Sequence, residues 1–194
     1  MSIKVGDALP EATLISITPT GPAPLATGDL FKGKKVVLFG VPGAYTGVCT
    51  KQHMPGYVQD AEAIKAKGVD TIACLAVNDA FVMGAWGKAS NVGDKVVMLA
   101  DGSGDYTRAL GLETDLRAAG LGMRGQRFAL IVDNGVVKDV FIEAPKEFKV
   151  SSAEHVLSAL SRFRSDLSFD EEPQIQSTAA RLRSLRARVD LRLH

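Results

Sequence analysis

The stretch Val36–Tyr57, VVLFGVPGAYTGVCTKQHMPGY, decides the fold of this chain. It opens with an apolar run typical of a buried strand, turns at Pro42-Gly43, and places Cys49 three residues after Thr46. The residues after Cys49 predict a helix that can bend at Pro55-Gly56, because proline removes an internal hydrogen bond. A strand, a tight turn and a thiol in the first turn of a helix indicate a chemically activated cysteine.

Strands and helices alternate on both sides of this stretch. The sequence predicts strands at 12–17, 35–41, 70–77, 96–100, 127–133 and 136–142, and helices at 46–67, 79–89, 105–112 and 152–164. Residues 18–30 are rich in Pro, Gly and Thr and predict a loop or hairpin, and Asn134-Gly135 predicts a tight hairpin turn. This order predicts an α/β, thioredoxin-like fold, in which helices flank a central mixed sheet.

The end of the chain differs from the rest in composition. We predict one domain over residues 1–164 and a C-terminal extension over residues 165–194. The extension begins with a polar, acidic linker and continues from residue 175 as an amphipathic helix, with its arginines mainly off the apolar face. We expect this helix to pack on the domain or to mediate oligomerisation, because a single short arginine-rich stripe is a weak membrane signal.

Composition excludes several classes of function. The 194 residues are 46% hydrophobic and 23% charged, as in globular proteins, and a net charge of +1 gives no reason to bind nucleic acid or an anionic membrane. No apolar run approaches the ~20 residues of a membrane span, and no secretory signal begins the sequence, so we predict a soluble, cytoplasmic protein. Two cysteines and three histidines, without metal-ligand spacing, predict neither a disulfide scaffold nor a metal site.

The residues around Cys49 favour its thiolate, which is the nucleophilic form of cysteine. Thr46 is a candidate N-cap, so Cys49 is the third residue of the helix, near its unpaired N–H groups. Pro42 and Gly43 are expected to bring the backbone over the sulfur and to limit solvent access. Dithiol oxidoreductases have a second cysteine where Thr46 stands, so this loop cannot close a local disulfide, and the thiol must attack a molecule brought to it.

The residues around Cys49 also form a motif that resembles one of a known protein family. The sequence VPGAYTGVC over residues 41–49, followed by HMPG over 53–56, resembles the active-site signature of the peroxiredoxins, within them the type II, peroxiredoxin-5-like subfamily. The likeness covers roughly residues 3–163. It continues through AVND (76–79), WGK (86–88), MLAD (98–101), GQRFA (125–129) and VSSAE (150–154).

The resemblance implies a thiol peroxidase that reduces hydrogen peroxide and small organic hydroperoxides without metal or haem. Cys49 would be the peroxidatic cysteine, which attacks the peroxide and becomes a sulfenic acid. Arg127 would supply the cation, because its guanidinium stays charged and can hold two oxygens. Thr46 would hydrogen-bond the sulfur and the peroxide, and Pro42 would shield them.

The sequence departs from the family pattern at two positions. Gly47 stands where the family usually has proline, which loosens the first helical turn. Val150 stands where one branch has a resolving cysteine, so that disulfide cannot form. Cys74, in a predicted strand, is the remaining candidate; it either resolves the sulfenic acid or is a small buried residue. If Cys74 does not resolve, then glutaredoxin with glutathione, or thioredoxin, must attack the sulfenic acid directly.

Other implications concern assembly and an alternative function. The resemblance suggests a homodimer with contacts near Tyr45 and Phe81. His53 and Trp86 either support the site or simply pack on the helices that carry them. A different interpretation is a thioredoxin-fold redox sensor or chaperone that uses Cys49 as a switch without multiple turnover.

Overall fold

A computed structural model describes residues 1–167. The predicted linker beyond residue 167 and the predicted helix from residue 175 lie outside the described residues. The chain divides into two compact units, Met1–Leu157 and Ser158–His194, and the first contains the sheet and every site residue discussed below. No helix within residues 1–167 is long and apolar enough to cross a bilayer.

The described region contains nine strands, five α-helices, a π-helical segment and a short 3₁₀ helix. The strands are β1 (Thr13–Thr18), β2 (Gly21–Ala26), β3 (Lys35–Gly40), β4 (Thr71–Ala76), β5 (Val97–Ala100), β6 (Glu113–Asp115), β7 (Met123–Gly125), β8 (Phe128–Asp133) and β9 (Val136–Ile142). The helices are α1 (Thr27–Phe31), the π-helical segment (Cys49–His53), α2 (Met54–Lys65), α3 (Ala80–Ala89), α4 (Asp105–Ala109), the 3₁₀ helix (Arg117–Ala119) and α5 (Ala153–Leu167).

Seven strands form one mixed sheet in the order β2-β1-β5-β4-β3-β8-β9. β3 pairs in parallel with β4, and β4 with β5, whereas β8 joins β3 antiparallel and β9 joins β8 antiparallel. β3 and β4 are therefore central strands, and the loop after β3, which leads to Cys49, leaves the middle of the sheet. This arrangement confirms the predicted thioredoxin-like α/β architecture.

Alternating side chains of β3 supply both faces of the sheet, as the two-residue period of a strand requires. Val36 and Leu38 belong to an apolar core together with Leu130 of β8 and Tyr106 of α4. Phe39 points to the opposite face and stacks on Tyr57 of α2, with ring centroids 3.9 Å apart. The helix that follows Cys49 is thus fixed on the Phe39 face.

The predicted hairpins are present. Asn134 and Gly135 have φ angles of 48° and 77°, which is the left-handed pair that a tight β8–β9 turn requires. The Pro-rich N-terminal stretch forms the β1–β2 hairpin and the short α1. Pro22 and Pro24 are tolerated there because β2 is an edge strand.

The helix after Cys49 departs from the prediction. Its irregularity lies upstream of Pro55-Gly56, because the π-helical segment ends at His53 and Pro55 occupies the first turn of α2. Pro55 has no N–H to donate to the preceding turn. The N–H of Met54 bonds to the Cys49 carbonyl five residues back, which widens the turn.

Two further features were not predicted. Residues 113–125 form a separate two-stranded sheet, β6–β7, instead of a plain loop. Phe81 and Trp86 of α3 also differ in burial, because Phe81 is 79% exposed whereas Trp86 is fully buried. Five residues of an α-helix span about 500°, so the two side chains point about 140° apart.

Candidate active site

The loop between β3 and the helix delivers Cys49 to the first helical turn. Gly47 and Val48 are already helical, and the Thr50 N–H donates to the Thr46 carbonyl at 3.0 Å, so Thr46 is the residue that begins the helix. Tyr45 just before it has a φ of 60°, a conformation that is unusual for a non-glycine residue and sharpens the turn. The predicted position of Cys49, three residues after the start of the helix, is therefore confirmed.

Two polar groups from distant parts of the sequence contact the buried sulfur of Cys49. The Thr46 hydroxyl lies 2.9 Å from Sγ, and Nη2 of Arg127 lies 3.4 Å from it. Cys49 itself has no exposed surface. The structure thus brings together three of the predicted site residues, although they span 82 positions of sequence from Thr46 to Arg127.

The Thr46 hydroxyl has one proton and two neighbours that can accept it. Its oxygen lies 2.8 Å from the Gly43 carbonyl oxygen and 2.9 Å from Sγ of Cys49. The carbonyl can only accept, so a protonated Cys49 can donate to the hydroxyl while the hydroxyl donates to Gly43. A thiolate instead receives the hydroxyl proton itself. The hydroxyl has only this one proton, so it donates either to the Gly43 carbonyl or to the sulfur, and not to both at once.

The half-buried Pro42 begins a loop that other side chains hold in place. Nη1 of Arg124 donates to the Pro42 carbonyl at 3.5 Å, and the N–H of Ala44 donates to Oδ1 of Asn78 at 3.0 Å. A Cβ at Gly43 would lie 2.9 Å from Nη1 of Arg124, so glycine leaves room for the guanidinium. Arg124 and Asn78 were not predicted as site residues, although Asn78 lies in one of the motif stretches.

A buried histidine lies beside Arg127. His53 Nδ1 is 3.1 Å from Nη1 of Arg127, and His53 Nε2 is 3.0 Å from the Ser151 carbonyl oxygen. Burial first, and then the charge of Arg127, lower the pKa of His53 from 6.5 to about 3, against the opposing hydrogen bond to Ser151. The imidazole is therefore neutral at physiological pH.

The region behind His53 is organised by Glu143. Oε1 of Glu143 accepts from the Ser151 N–H at 2.8 Å and from the Ser151 hydroxyl at 2.9 Å. Burial would raise the pKa of the Glu143 carboxyl, but the hydrogen bonds from Ser151 and Lys149 and the charge of Arg127 outweigh it and lower that pKa. A carboxylate at Glu143 thereby fixes the segment that carries Ser151. Glu143 was not singled out in the sequence, although Ser151 lies in the motif stretch VSSAE (150–154).

Cys74 lies on the same face of the sheet as Phe39, its β3 partner in register. It has no exposed surface, and β4 is hydrogen-bonded to a neighbour on each side. Burial, and then the nearby charge of Cys49, raise the pKa of the Cys74 thiol well above its usual value. Both cysteines are free thiols.

The aromatic residues singled out in the sequence occupy different environments. Trp86 is buried and donates from Nε1 to the hydroxyl of Thr50 at 3.1 Å, so it contacts the residue next to Cys49. Tyr45 and Phe81 are 55% and 79% exposed. A further aromatic residue, Phe148, was not predicted to lie near the site. The centroid of its ring lies 5.7 Å from the guanidinium carbon of Arg127 and 5.0 Å from the centroid of the His53 ring.

Comparison with known proteins decides the family. The Redoxin family matches residues 4–157. Peroxiredoxin-2B of Arabidopsis thaliana is 48% identical over 159 residues, which cover 81% of this chain and 98% of the relative. The chain is a type II peroxiredoxin. Chloroplastic Peroxiredoxin-2E of the same plant is 48% identical over 163 residues, which cover 82% of this chain and 70% of the relative.

A solved structure agrees with this assignment. The reduced Prx3 of Vibrio vulnificus, crystallised in complex with H₂O₂, superposes with a TM-score of 0.78 at 53% identity, over 81% of this chain and 99% of that one. As a peroxiredoxin, this chain is a thiol peroxidase. The predictions of a type II peroxiredoxin and of an oxidoreductase are both confirmed.

Proposed function

We propose that this peroxiredoxin reduces hydrogen peroxide and small organic hydroperoxides at Cys49. The observation that carries the proposal is the buried sulfur held between the Thr46 hydroxyl and the Arg127 guanidinium. Both groups can donate hydrogen bonds to a negative charge, and Arg127 has N–H groups left to hold a peroxide oxygen. Donors arranged in advance around developing charge are what a peroxide displacement needs.

The proposed reaction begins with the Cys49 thiolate. Its sulfur attacks the terminal oxygen of the peroxide, an S–O bond forms, and the O–O bond breaks. The electron pair of that bond leaves on the alkoxide, or on hydroxide for hydrogen peroxide, and this leaving group takes up a proton. Cys49 becomes a sulfenic acid, so the sulfur is oxidised by two electrons and the peroxide is reduced by two. Thr46 and Arg127 stabilise the charge that moves from sulfur to oxygen.

We propose that an external thiol, and not Cys74, resolves the sulfenic acid. Cys74 is buried in a strand that is paired on both sides, and the raised pKa of its thiol keeps it protonated. A Cys49–Cys74 disulfide would therefore require parts of two ladders to open. A glutathione, glutaredoxin or thioredoxin thiol instead displaces water from the sulfenic acid, and a second thiol then releases Cys49.

Two further aspects belong to the same proposal. The exposed aromatic side chains of Tyr45 and Phe81 support a homodimer that covers them. Two free thiols suit a reducing compartment such as the predicted cytoplasm.

Turnover measurements test the function. Full-length protein with Cys49→Ser is expected to consume no peroxide with a thiol reductant, while Cys74→Ala keeps most of the activity. Mass spectrometry of the peroxide-treated wild type then distinguishes the two resolving routes. A Cys49–Cys74 disulfide would contradict external resolution, and a single turnover per Cys49 with every reductant would favour the redox sensor or chaperone over the peroxidase.

A further inference from the structure

The imidazole of His53 lies beside Arg127, where it accepts a hydrogen bond from the guanidinium. Arg127 uses its two terminal nitrogens on different partners: Nη2 lies 3.4 Å from Sγ of Cys49, and Nη1 lies 3.1 Å from Nδ1 of His53. Both contacts involve nitrogens of one planar group. The bond to His53 therefore restricts the rotation of the guanidinium about its own axis.

The hydrogen-bond partners of His53 determine its tautomer. The Ser151 carbonyl can only accept, so Nε2 of His53 must carry the ring proton. Arg127 can only donate, so Nδ1 must present a lone pair. The two ends of the ring require the same tautomer independently of each other. Neither nitrogen is left to exchange a proton with a peroxide, so His53 is not placed as a general acid or base.

The acceptor for Nε2 is itself held in place. The Ser151 carbonyl also receives the Tyr57 hydroxyl at 2.9 Å, and the Ser151 N–H and hydroxyl are bound by Glu143. The ring of Phe148 lies against both His53 and Arg127. His53 is fully buried. The ring thus has little freedom to turn away from Arg127.

We propose that His53 is a positioning residue for the peroxidase reaction: the lone pair on its Nδ1 sets the orientation of the Arg127 guanidinium toward Cys49. This inference rests on the proposed role of Cys49 and Arg127 in peroxide reduction. The bond from Nε2 to Ser151 serves to keep that lone pair directed at Arg127. A residue that only fills space at position 53 would not need an acceptor at the Nδ1 position.

Two amide substitutions separate the nitrogens of His53. Asparagine can place its carbonyl oxygen near the Nδ1 position, so His53→Asn keeps an acceptor for Arg127. Glutamine reaches the Nε2 position, so His53→Gln keeps a donor for Ser151 but loses the acceptor. Tyr57 still donates to the Ser151 carbonyl in both variants. His155→Asn is the matched control, because the His155 ring packs edge-on against Phe141.

The readouts are kcat/KM for hydrogen peroxide and the rate of Cys49 alkylation by iodoacetamide at pH 7, with Cys74→Ala as the common background. We expect His53→Asn to stay within about threefold of the background in both, and His53→Gln to lose about tenfold or more. Equal losses in the two variants, no loss in either, or a larger loss with asparagine would overturn the proposal. Melting temperatures show whether a lower rate follows from unfolding of a variant. If it does, both His53 variants are compared at a temperature where both are folded.

A double-mutant cycle tests whether His53 acts through Arg127. In an Arg127→Ala background, His53→Gln should change the alkylation rate by less than about twofold, because the group that it orients is gone. A full tenfold loss in that background would overturn the proposal. Alkylation does not depend on peroxide turnover, so a failure of the proposed peroxidase function would appear as absent turnover in the background protein and remain distinguishable.

Discussion

The buried, neutral His53 makes the stability of the protein depend on pH in a defined range. Its pKa is about 3 in the folded protein and 6.5 when unperturbed. Between these values the unfolded chain binds a proton that the folded protein refuses, so stability rises with pH in this range. The contribution is fully present above pH 6.5 and is lost as pH falls toward 3.

The magnitude follows from the two pKa values. Between pH 7.5 and pH 5.0 the unfolded histidine becomes almost fully protonated while the folded one does not, which costs about 2 kcal/mol of unfolding free energy. With a urea slope of about 2 kcal/mol/M, the unfolding midpoint should fall by about 1 M from this one group. Glu143 contributes mainly at lower pH, because the pKa of its carboxyl is held below the usual value.

Urea unfolding of the reduced proteins at pH 7.5 and at pH 5.0 gives the loss of unfolding free energy between the two pH values, and this loss is compared between wild type and variants. We expect His53→Asn to lose about 2 kcal/mol less than the wild type between the two pH values, because its amide does not titrate. His155→Asn should retain the wild-type loss. Wild type and His53→Asn losing equal stability, within about 0.5 kcal/mol, would refute a buried neutral histidine at this position.

Substitutions at three other positions test β3 and the start of the helix that it leads to. Thr46→Val removes the hydroxyl next to Sγ and should lower kcat/KM for hydrogen peroxide about 100-fold, while Thr46→Ser stays within a few-fold of wild type. Gly47→Pro, at the first helical residue where no atom lies within 4 Å of an added Cβ, should raise the urea-derived stability by about 0.4–1 kcal/mol and slow reduction of oxidised Cys49. Gly40→Ala should lower that stability by about 1–3 kcal/mol, because its Cβ would overlap the Phe128 ring.

Each of these has a contrary result. Equal rates for the valine and serine variants of Thr46 would remove the hydroxyl from the reaction. A less stable Gly47→Pro protein would mean that the helix start requires glycine. An unchanged unfolding midpoint in Gly40→Ala would mean that Phe128 can move aside at no cost.

The strands of the sheet and the placement of Cys49 next to Thr46 could be predicted, because both depend on residues that are close together in the sequence. Short apolar runs between turn residues located β3, β4 and β8, and Asn134-Gly135 located the last hairpin. Cys49 and Thr46 are three residues apart, so helix geometry alone relates them. Arg127 is different: nothing local distinguishes it from Arg124, and its position was predicted through family resemblance.

What the sequence could not predict depends on contacts between distant segments. The environment of His53 is set by Ser151 and Arg127, 98 and 74 residues away, and no periodicity encodes such pairs. The helix was expected to bend at Pro55, because proline has no N–H to donate to the preceding turn. The irregularity instead lies in that preceding turn, which is widened to a π-helical one over Cys49–His53. The β6–β7 sheet was missed because three-residue strands are too short to show alternation.

The direction in which the Cys49 thiol points depends on how many residues the π-helical segment contains. Five residues, Cys49–His53, close their turn with a bond from Met54 back to Cys49, so the segment holds one residue more than an α-helical path of the same length. Removing that residue while α2 stays in place would turn Cys49 by about 100° around the helix axis and shift it by about 1.5 Å. The sulfur would then face away from Arg127 although every side chain of the site was still present. The number of residues in this helical turn is thus as much a part of the site as the groups that touch the sulfur.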